Sequence, residues 1–121
     1  MKIKAIECSF SVCQLKDISA IDMNSELFFL GKTDEELSLV CPTESIPVSV
    51  IKRDDGWKAF RIEGILDFSL IGILSKIANL LADNDISIFA ISTFNTDYIL
   101  TKADNYARAL DLLEKAGYQI V

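Results

Sequence analysis

The chain has 121 residues, of which 50% are hydrophobic and 25% are charged. This composition is sufficient to bury a core, so it excludes an intrinsically disordered chain and predicts one ordinary domain or two very small ones. The formal net charge of −6 excludes the basic footprint of a nucleic-acid-binding protein and argues against an anionic membrane surface as a partner.

The residue types present exclude several kinds of metal site and catalytic site. The chain has no histidine and three cysteines, Cys8, Cys13 and Cys41, none of which form a C-x-x-C pair. A Cys/His zinc site and histidine-dependent nucleophilic catalysis are therefore excluded, and the cysteines are predicted to be buried or half-buried free thiols. We expect no metal, no cofactor and no enzymatic activity.

Targeting signals are not apparent. Glu7 interrupts the apolar start of the chain, so it does not resemble a signal-peptide core, and the longest apolar segments carry polar residues every few positions. We therefore expect a cytoplasmic protein.

The first half of the chain predicts short strands, at 3–7, 10–15, 26–30, 37–41 and 48–52. Segment 44–47 stands where a second helix would be expected, so residues 1–56 are interpreted as a degenerate N-terminal copy of the module that follows. The stretch 52–56 ends in the turn-forming pair Asp55-Gly56 and is predicted to be the loop that separates this half from residues 57–121.

The second half has a clearer pattern. Residues 57–63 alternate as a half-buried strand, 70–81 carry apolar residues at helical spacing, and 86–94 and 97–101 form a strand pair. Residues 103–116 predict a second helix that ends at Gly117, before a last strand at 118–121. The order β-α-β-β-α-β predicts an α+β, ferredoxin-like fold: a four-stranded antiparallel sheet with both helices on one face.

Two loops are expected to meet at one edge of this module. The first opens the first helix, where Asp67, Leu70, Ile71 and Gly72 lie. A helix N terminus offers free amides and the positive end of the helix dipole, which suit a carboxylate. Gly72, placed just inside the helix, either lets a ligand approach closely or allows the helix to pack against the sheet.

The second loop joins the middle strands and contains Thr93, Asn95 and Asp97. Asp97 either pairs with a ligand ammonium group or caps the turn by bonding to nearby backbone. An anion-binding helix end beside an ammonium-binding carboxylate complements a zwitterion, so the sequence predicts an amino-acid site.

Four segments carry a resemblance to a known family. Segment 66–74, together with 86–100 and its run Ser-Thr-Phe-Asn-Thr-Asp-Tyr at 92–98, resembles the small bacterial ACT-domain proteins. These are related to the ACT repeats of the CASTOR arginine sensors and of aspartate kinases. Segments 34–42 and 56–57 match the N-terminal half of the same proteins, so the resemblance covers the whole chain.

The resemblance implies a non-catalytic, ligand-responsive regulatory protein in which an amino acid lies between the helix-1 loop of one module and a strand of its neighbour. It implies a homodimer with symmetric sites and a regulated protein partner. The implied contacts are Asp67, Leu70 and Ile71 from the loop, Thr93, Phe94, Asn95 and Asp97 from the turn, and Ser87 and Ile88 from the adjoining module.

The chain departs from the arginine sensors at two positions. It has Leu70 where they carry an acidic residue and Asp67 where they carry glycine. A neutral or aliphatic amino acid is therefore at least as good a candidate ligand as arginine. Two alternatives stay open: a structural dimerisation module with a vestigial pocket, and an enzyme that uses Asp67 and Asp97 as paired carboxylates.

Overall fold

The computed structural model describes residues 1–63 and 72–121. The chain divides into two compact units: a larger unit of Met1–Glu7 and Lys58–Val121, and a smaller unit of Cys8–Trp57. We expected the division to fall between 1–56 and 57–121, whereas the structure groups the first seven residues with the C-terminal half. That the smaller unit is a degenerate ACT module stays a prediction.

The secondary structure elements follow one another in a simple order. They are β1 (Lys2–Leu15), β2 (Phe29–Lys32), β3 (Leu37–Pro42), a 3-10 turn (Thr43–Ser45), β4 (Val50–Ile62), α1 (Ile73–Asp83), β5 (Ile88–Ser92), β6 (Asp97–Lys102), α2 (Ala103–Lys115) and β7 (Gln119–Ile120).

The larger unit has the predicted α+β, ferredoxin-like fold, with one addition. Its strand order is β7-β1-β4-β6-β5, so the start of β1 lies between β7 and the end of β4. Lys2 pairs with Gln119 in parallel register, and the amide of Glu63 donates to the carbonyl of Lys2 at 2.9 Å. This non-local pairing explains why the first residues belong to the C-terminal half.

Both helices of the larger unit pack on the same core. Ile77 and Leu81 of α1 lie with Ala109 and Leu113 of α2. They cover fully buried side chains of the strands, namely Ile3, Phe60, Ile62 and Ile99. The helical spacing of α2 predicts an inward stripe, which is confirmed at Tyr106, Ala109, Leu110 and Leu113, all buried or half-buried. The prediction is wrong at Ala116, which is exposed because it is the C-cap residue beyond the last helical turn.

The helix ends follow the sequence signals. Gly117 follows α2 with φ 104°, the left-handed conformation that glycine adopts most readily. After α1, Asp85 adopts φ 60°, and the amide of Ile86 donates to the carbonyl of Leu81 at 2.9 Å. This 6→1 bond is typical of a Schellman motif, but here its left-handed position is held by an aspartate.

The smaller unit is a sheet segment of strand order β2-β3-β1-β4. β1 and β3 pair antiparallel with Cys13 opposite Leu39, and β2 pairs with β3 with Lys32 opposite Leu37. Its core contains Cys13, Leu15, Leu39 and Cys41. All three cysteines of the chain are free, with Cys8 half-buried and the other two buried.

Two predicted interruptions are absent from the strands of the structure. The predicted strands at 3–7 and 10–15 form the single strand β1, and β4 runs through the predicted loop at 52–56. Gly56 has φ 83°, as glycines in β-bulges do, so it bends the strand without ending it. Asp55 is held by Arg53, at 3.0 Å, and by the hydroxyl of buried Ser11, at 2.6 Å.

Burial shifts the pKa of the two thiols in the core of the smaller unit. It raises the pKa of Cys13 and raises the pKa of Cys41 to about 11, because an apolar core disfavours the thiolate. Both side chains are 2% exposed. They therefore act as small apolar core residues and not as nucleophiles.

Replacing Asp85 with glycine should stabilise the protein. A non-glycine residue in the left-handed region is strained, and relief of that strain outweighs the added freedom of glycine in the unfolded chain, for a net gain of about 0.5–1 kcal/mol. Urea unfolding followed by circular dichroism measures the change. Asp83→Gly, within the last turn of α1, is the control and should lose a similar amount. An Asp85→Gly variant no more stable than the wild type would contradict the interpretation.

Candidate ligand site

The turn between β5 and β6 is a four-residue connection. Ser92 pairs with Asp97 at the end of the ladder, and the amide of Thr93 donates to the carbonyl of Thr96 at 2.8 Å. The hydroxyl of Thr93 donates to the same carbonyl at 2.9 Å and accepts from the amide of Thr96 at 3.3 Å. The predicted contact Thr93 therefore has its hydroxyl committed within the turn.

Thr96 fixes the position of this turn. Its side chain is 8% exposed, and its hydroxyl donates to the carbonyl of Ile62 at 2.7 Å. Ile62 is the last residue of β4, and the chain continues from there toward α1. The bond therefore places the turn beside the end of β4, at the edge where the polypeptide leaves the sheet.

The N terminus of α1 lies level with the same edge. α1 has 11 residues and β5 has 5, and both elements are about 16 Å long. Because the short connection 84–87 returns the chain from the end of α1 to the start of β5, the start of the helix and the end of the strand lie at the same side of the unit. That the loop preceding α1 meets the β5–β6 turn stays a prediction, because residues 64–71 lie outside the described part of the chain.

Gly72 was predicted to lie just inside the helix, and this prediction is wrong. It is the N-cap residue of α1, with φ 80°, a left-handed conformation that cannot continue a right-handed helix. A β-carbon at Gly72 would meet nothing within 4 Å, so the backbone conformation and not helix–sheet packing explains the glycine. Among residues 1–63 and 72–121, no side chain caps the helix, and its first turn carries no acidic residue.

Asp97 faces the helices. Side chains alternate along β6, and Ile99, two residues later, belongs to the core beneath both helices. The Asp97 carboxylate is half-buried and accepts a hydrogen bond from Ser92 across the strand pair. This bond fits the turn-stabilising interpretation of Asp97, and pairing with a ligand ammonium group stays a prediction.

The opposite face of the sheet carries a polar cluster near the same edge. Arg61 donates to the hydroxyl of Tyr98 and to the carboxylate of Glu63, both at 3.2 Å. The bond to Tyr98, followed by the bond to Glu63, raises the pKa of Arg61. The guanidinium is therefore committed to the protein on the face away from the helices.

The remaining predicted contacts are spread along the hairpin. Phe94 is 83% exposed at the tip of the turn, where Asn95 is also exposed. Ile88 packs at the border of the core, and Ser87 precedes it and is exposed. Both lie at the far end of β5, about 16 Å from the turn.

Part of the predicted site lies outside the described residues. Asp67, Leu70 and Ile71 fall in segment 64–71. Of the predicted helix-start residues, Gly72 alone is among those the structure describes.

The structure also has concave surfaces that the sequence did not predict. The smaller unit holds one cavity of about 110 Å³ that includes Phe28 and Cys41 in its wall, and a second of about 350 Å³ between Lys16 and Lys32. Each depends on residues brought together by the pairing of β1, β2 and β3, which no local pattern signals. Within residues 1–63 and 72–121, no cluster of Cys, Asp and Glu is arranged to hold a metal ion.

Comparison with known proteins identifies relatives over most of this chain. A family model described as the ACT domain matches residues 52–115, which is more than half of the chain. The mouse protein named cytosolic arginine sensor for mTORC1 subunit 1 is 42% identical over 83 residues. That alignment covers 68% of this chain but 24% of the mouse protein, so the chain spans about a quarter of its relative's length.

Solved structures support the same fold. A crystal structure of a protein from Agobacterium tumefaciens superposes with a TM-score of 0.87 and 32% identity, and covers 99% of this chain and 91% of that one. The regulatory subunit of aspartate kinase from Thermus thermophilus superposes with a TM-score of 0.63 at 9% identity, covering 97% and 98% of the two chains. This second similarity is one of fold alone.

The helices give no sign of membrane insertion. In the part of the chain that the structure describes, neither α1 nor α2 combines the length and the apolarity that a bilayer-spanning helix needs.

Thr96→Val should lower the stability of the protein by about 1–3 kcal/mol. Valine keeps the shape of threonine but leaves the buried carbonyl of Ile62 without its donor. Chemical unfolding measures the loss. Thr101→Val is the matched control: Thr101 is more deeply buried, at 0% exposure, but its hydroxyl donates only locally to the carbonyl of Lys102, so the loss should be smaller. Equal losses in the two variants would show that the Thr96 bond does not anchor the turn.

Proposed function

We propose that this chain, which belongs to the ACT domain family, is a non-catalytic regulatory protein that binds an amino acid between modules of a homodimer. ACT domain proteins of this kind are regulatory, and the mouse relative is by its name an arginine sensor. The proposal extends that role to this chain as a ligand sensor that acts on a protein partner in the cytoplasm. Nucleic acid and membrane are not proposed as partners.

One observation carries the amino-acid proposal. The N terminus of α1, which no described side chain caps, and the carboxylate of Asp97 lie toward the same edge of the larger unit, and Asp97 faces the helices. The helix amides favour a carboxylate, and Asp97 favours an ammonium group. Two opposite charges separated in this way complement the backbone of a free amino acid.

The distribution of the other contacts supports a site shared between two chains. Ser87 and Ile88 lie about 16 Å from the turn of their own hairpin, too far to touch the same small ligand. In a homodimer, the partner chain would supply these two positions. Phe94, 83% exposed at the tip of the turn, is an apolar side chain that such a partner would cover.

The side chain of the ligand is proposed to be neutral or aliphatic. Leu70 replaces an acidic residue of the arginine sensors, and Asp67 replaces a glycine, so the pocket would lose the charge that pairs with a guanidinium. Arginine is the second candidate, favoured by the name of the mouse relative.

A structural dimerisation module is the alternative function. It is favoured by one observation: the polar groups of the turn already satisfy one another, with Ser92 bonded to Asp97 and Thr93 bonded to Thr96. An enzyme based on Asp67 and Asp97 has no such support and lacks a histidine to act as a base at neutral pH.

A thermal-shift screen of the twenty amino acids tests the proposal. A ligand at about 100 times its dissociation constant adds ~2.7 kcal/mol to stability, which raises the melting temperature by several degrees. We expect a neutral or aliphatic amino acid to give the largest shift. If no amino acid shifts the melting temperature, the structural alternative replaces the proposal.

Asp97→Asn separates binding from folding. We expect the variant to fold and to bind the identified amino acid about 10- to 150-fold more weakly, because a charge-assisted hydrogen bond of roughly 1.5–3 kcal/mol is lost. Calorimetric titration measures the affinity. Asp34→Asn, an exposed change in the smaller unit, is the control for net charge and should bind normally. Unchanged binding by Asp97→Asn would remove that carboxylate from the site.

The shared site predicts that binding depends on dimer formation. Light scattering during gel filtration should show a dimer, and Phe94→Asp should shift the population toward monomer and weaken binding together, because it places a charge on the surface proposed to be covered. A monomeric variant that keeps full affinity would place the whole site within one chain.

A further inference from the structure

We propose that the smaller unit binds a small organic carboxylate with an aliphatic tail, in a cavity separate from the amino-acid site. The cavity encloses about 350 Å³ and is lined by residues that all belong to this unit. Those that matter for recognition are Lys16, Asp17, Ile18, Lys32, Glu36 and Leu37. Its volume lies within the usual range for small-molecule sites.

The floor of the cavity is apolar. Leu37 is half-buried and packs against the core of the smaller unit, directly opposite Lys32 in the β2–β3 ladder. Ile18 is 59% exposed at the rim. An aliphatic group placed on Leu37 and beneath Ile18 would remove apolar surface of both residues from water.

The two carboxylates that line the cavity already accept hydrogen bonds from residues close to them in sequence. Asp17 accepts from the amide of Ser19 at 3.0 Å and from its hydroxyl, and these bonds, with a smaller contribution from the charge of Lys16, lower the pKa of Asp17. Glu36 accepts from the hydroxyl of Ser38 at 2.6 Å. Both acidic groups therefore accept hydrogen bonds from residues two positions further along the chain.

The two ammonium groups differ from these carboxylates. Among the residues that the structure describes, neither Lys16 nor Lys32 forms an ion pair. Two cations at one concavity that form no ion pair among those residues can attract an anion, and the apolar side chains beside them favour an organic one. A carboxylate head at the lysines with an aliphatic tail on Leu37 satisfies both features.

Both walls of the cavity are fixed in advance. The amide of Lys16 donates to the carbonyl of Ser49 at 2.9 Å, and the hydroxyl of Ser49 donates back to the carbonyl of Asp17 at 3.1 Å. On the other side, the hydroxyl of Thr33 accepts from the amide of Glu36 at 3.1 Å. A site whose rims are held by hydrogen bonds loses little conformational freedom on binding.

Methyl NMR of the full chain tests the site directly. The probe is 4-methylpentanoate, and we expect saturable shifts of the methyl resonances of Ile18 and Leu37. The uncharged 4-methylpentanamide and the cation 3-methylbutylamine should leave these methyls unshifted at the same concentrations. Equal shifts with the amide would overturn the role of the lysines, and no saturable shift with the carboxylate would overturn the site.

Paired variants test the lysines. Lys16→Gln with Lys32→Gln should weaken probe binding about 2- to 25-fold, since each exposed ion pair contributes roughly two- to fivefold or less. Lys52→Gln with Lys76→Gln removes the same net charge elsewhere and should bind normally. Equal weakening of probe binding in the two double variants would show that the loss comes from the change in net charge and not from these two lysines. If the first variant fails to fold, Lys32→Gln alone against Lys32→Arg, which should bind normally, decides the same point.

The outcome is independent of the amino-acid site. The probe carries no ammonium group, and the observed methyls belong to the smaller unit. If the amino-acid screen fails and this titration succeeds, the carboxylate site is still supported. If the screen succeeds and the titration fails, only the carboxylate site is ruled out.

Discussion

The larger unit depends on a strand that comes from the opposite end of the sequence. The first residues of β1 fill the position between β7 and the end of β4, and there Lys2 accepts from Glu63 while Ile3 enters the core with 0% exposure. Without this strand, backbone groups on both neighbours would lose their partners, and Phe60 and Ile62 would lose an apolar contact. A buried sheet of this kind cannot leave such an interior position empty.

The candidate ligand site lies at one edge of this completed sheet. Ile62 ends β4, Thr96 bonds to its carbonyl, and the hairpin turn is thereby fixed where the chain leaves the sheet. The helix face of the same edge receives Asp97, whereas Arg61 is bonded to Tyr98 on the other face. Asp97 and the Arg61 guanidinium therefore lie on opposite faces of the sheet, so this cation does not occupy the carboxylate that we propose binds a ligand ammonium group.

The two units differ in which of their polar groups already have hydrogen-bond or ion-pair partners within the protein. In the larger unit, the hydroxyls of Ser92 and Thr93 form hydrogen bonds within the turn, so the proposed ligand contacts there are Asp97 and the helix amides. In the smaller unit, the carboxylates of Asp17 and Glu36 accept hydrogen bonds from Ser19 and Ser38, while Lys16 and Lys32 form no ion pair with any residue of the described ranges. Rigid surroundings with a few uncommitted charges are the usual basis of selective binding.

The sequence by itself determined the α+β class, both helices and the order of elements in the second half. Those features follow from local hydrophobic periodicity and from residues that end helices, such as Gly117. Both signals depend on interactions between residues close together in sequence. Tertiary structure alone decided that β1 and β4 run unbroken, because Gly56 bends a strand whose neighbours hold it by hydrogen bonds. It also decided the place of the first seven residues, the N-cap role of Gly72 and the cavity between Lys16 and Lys32. Each of these depends on pairing between residues distant in sequence, and local patterns carry no information about such contacts.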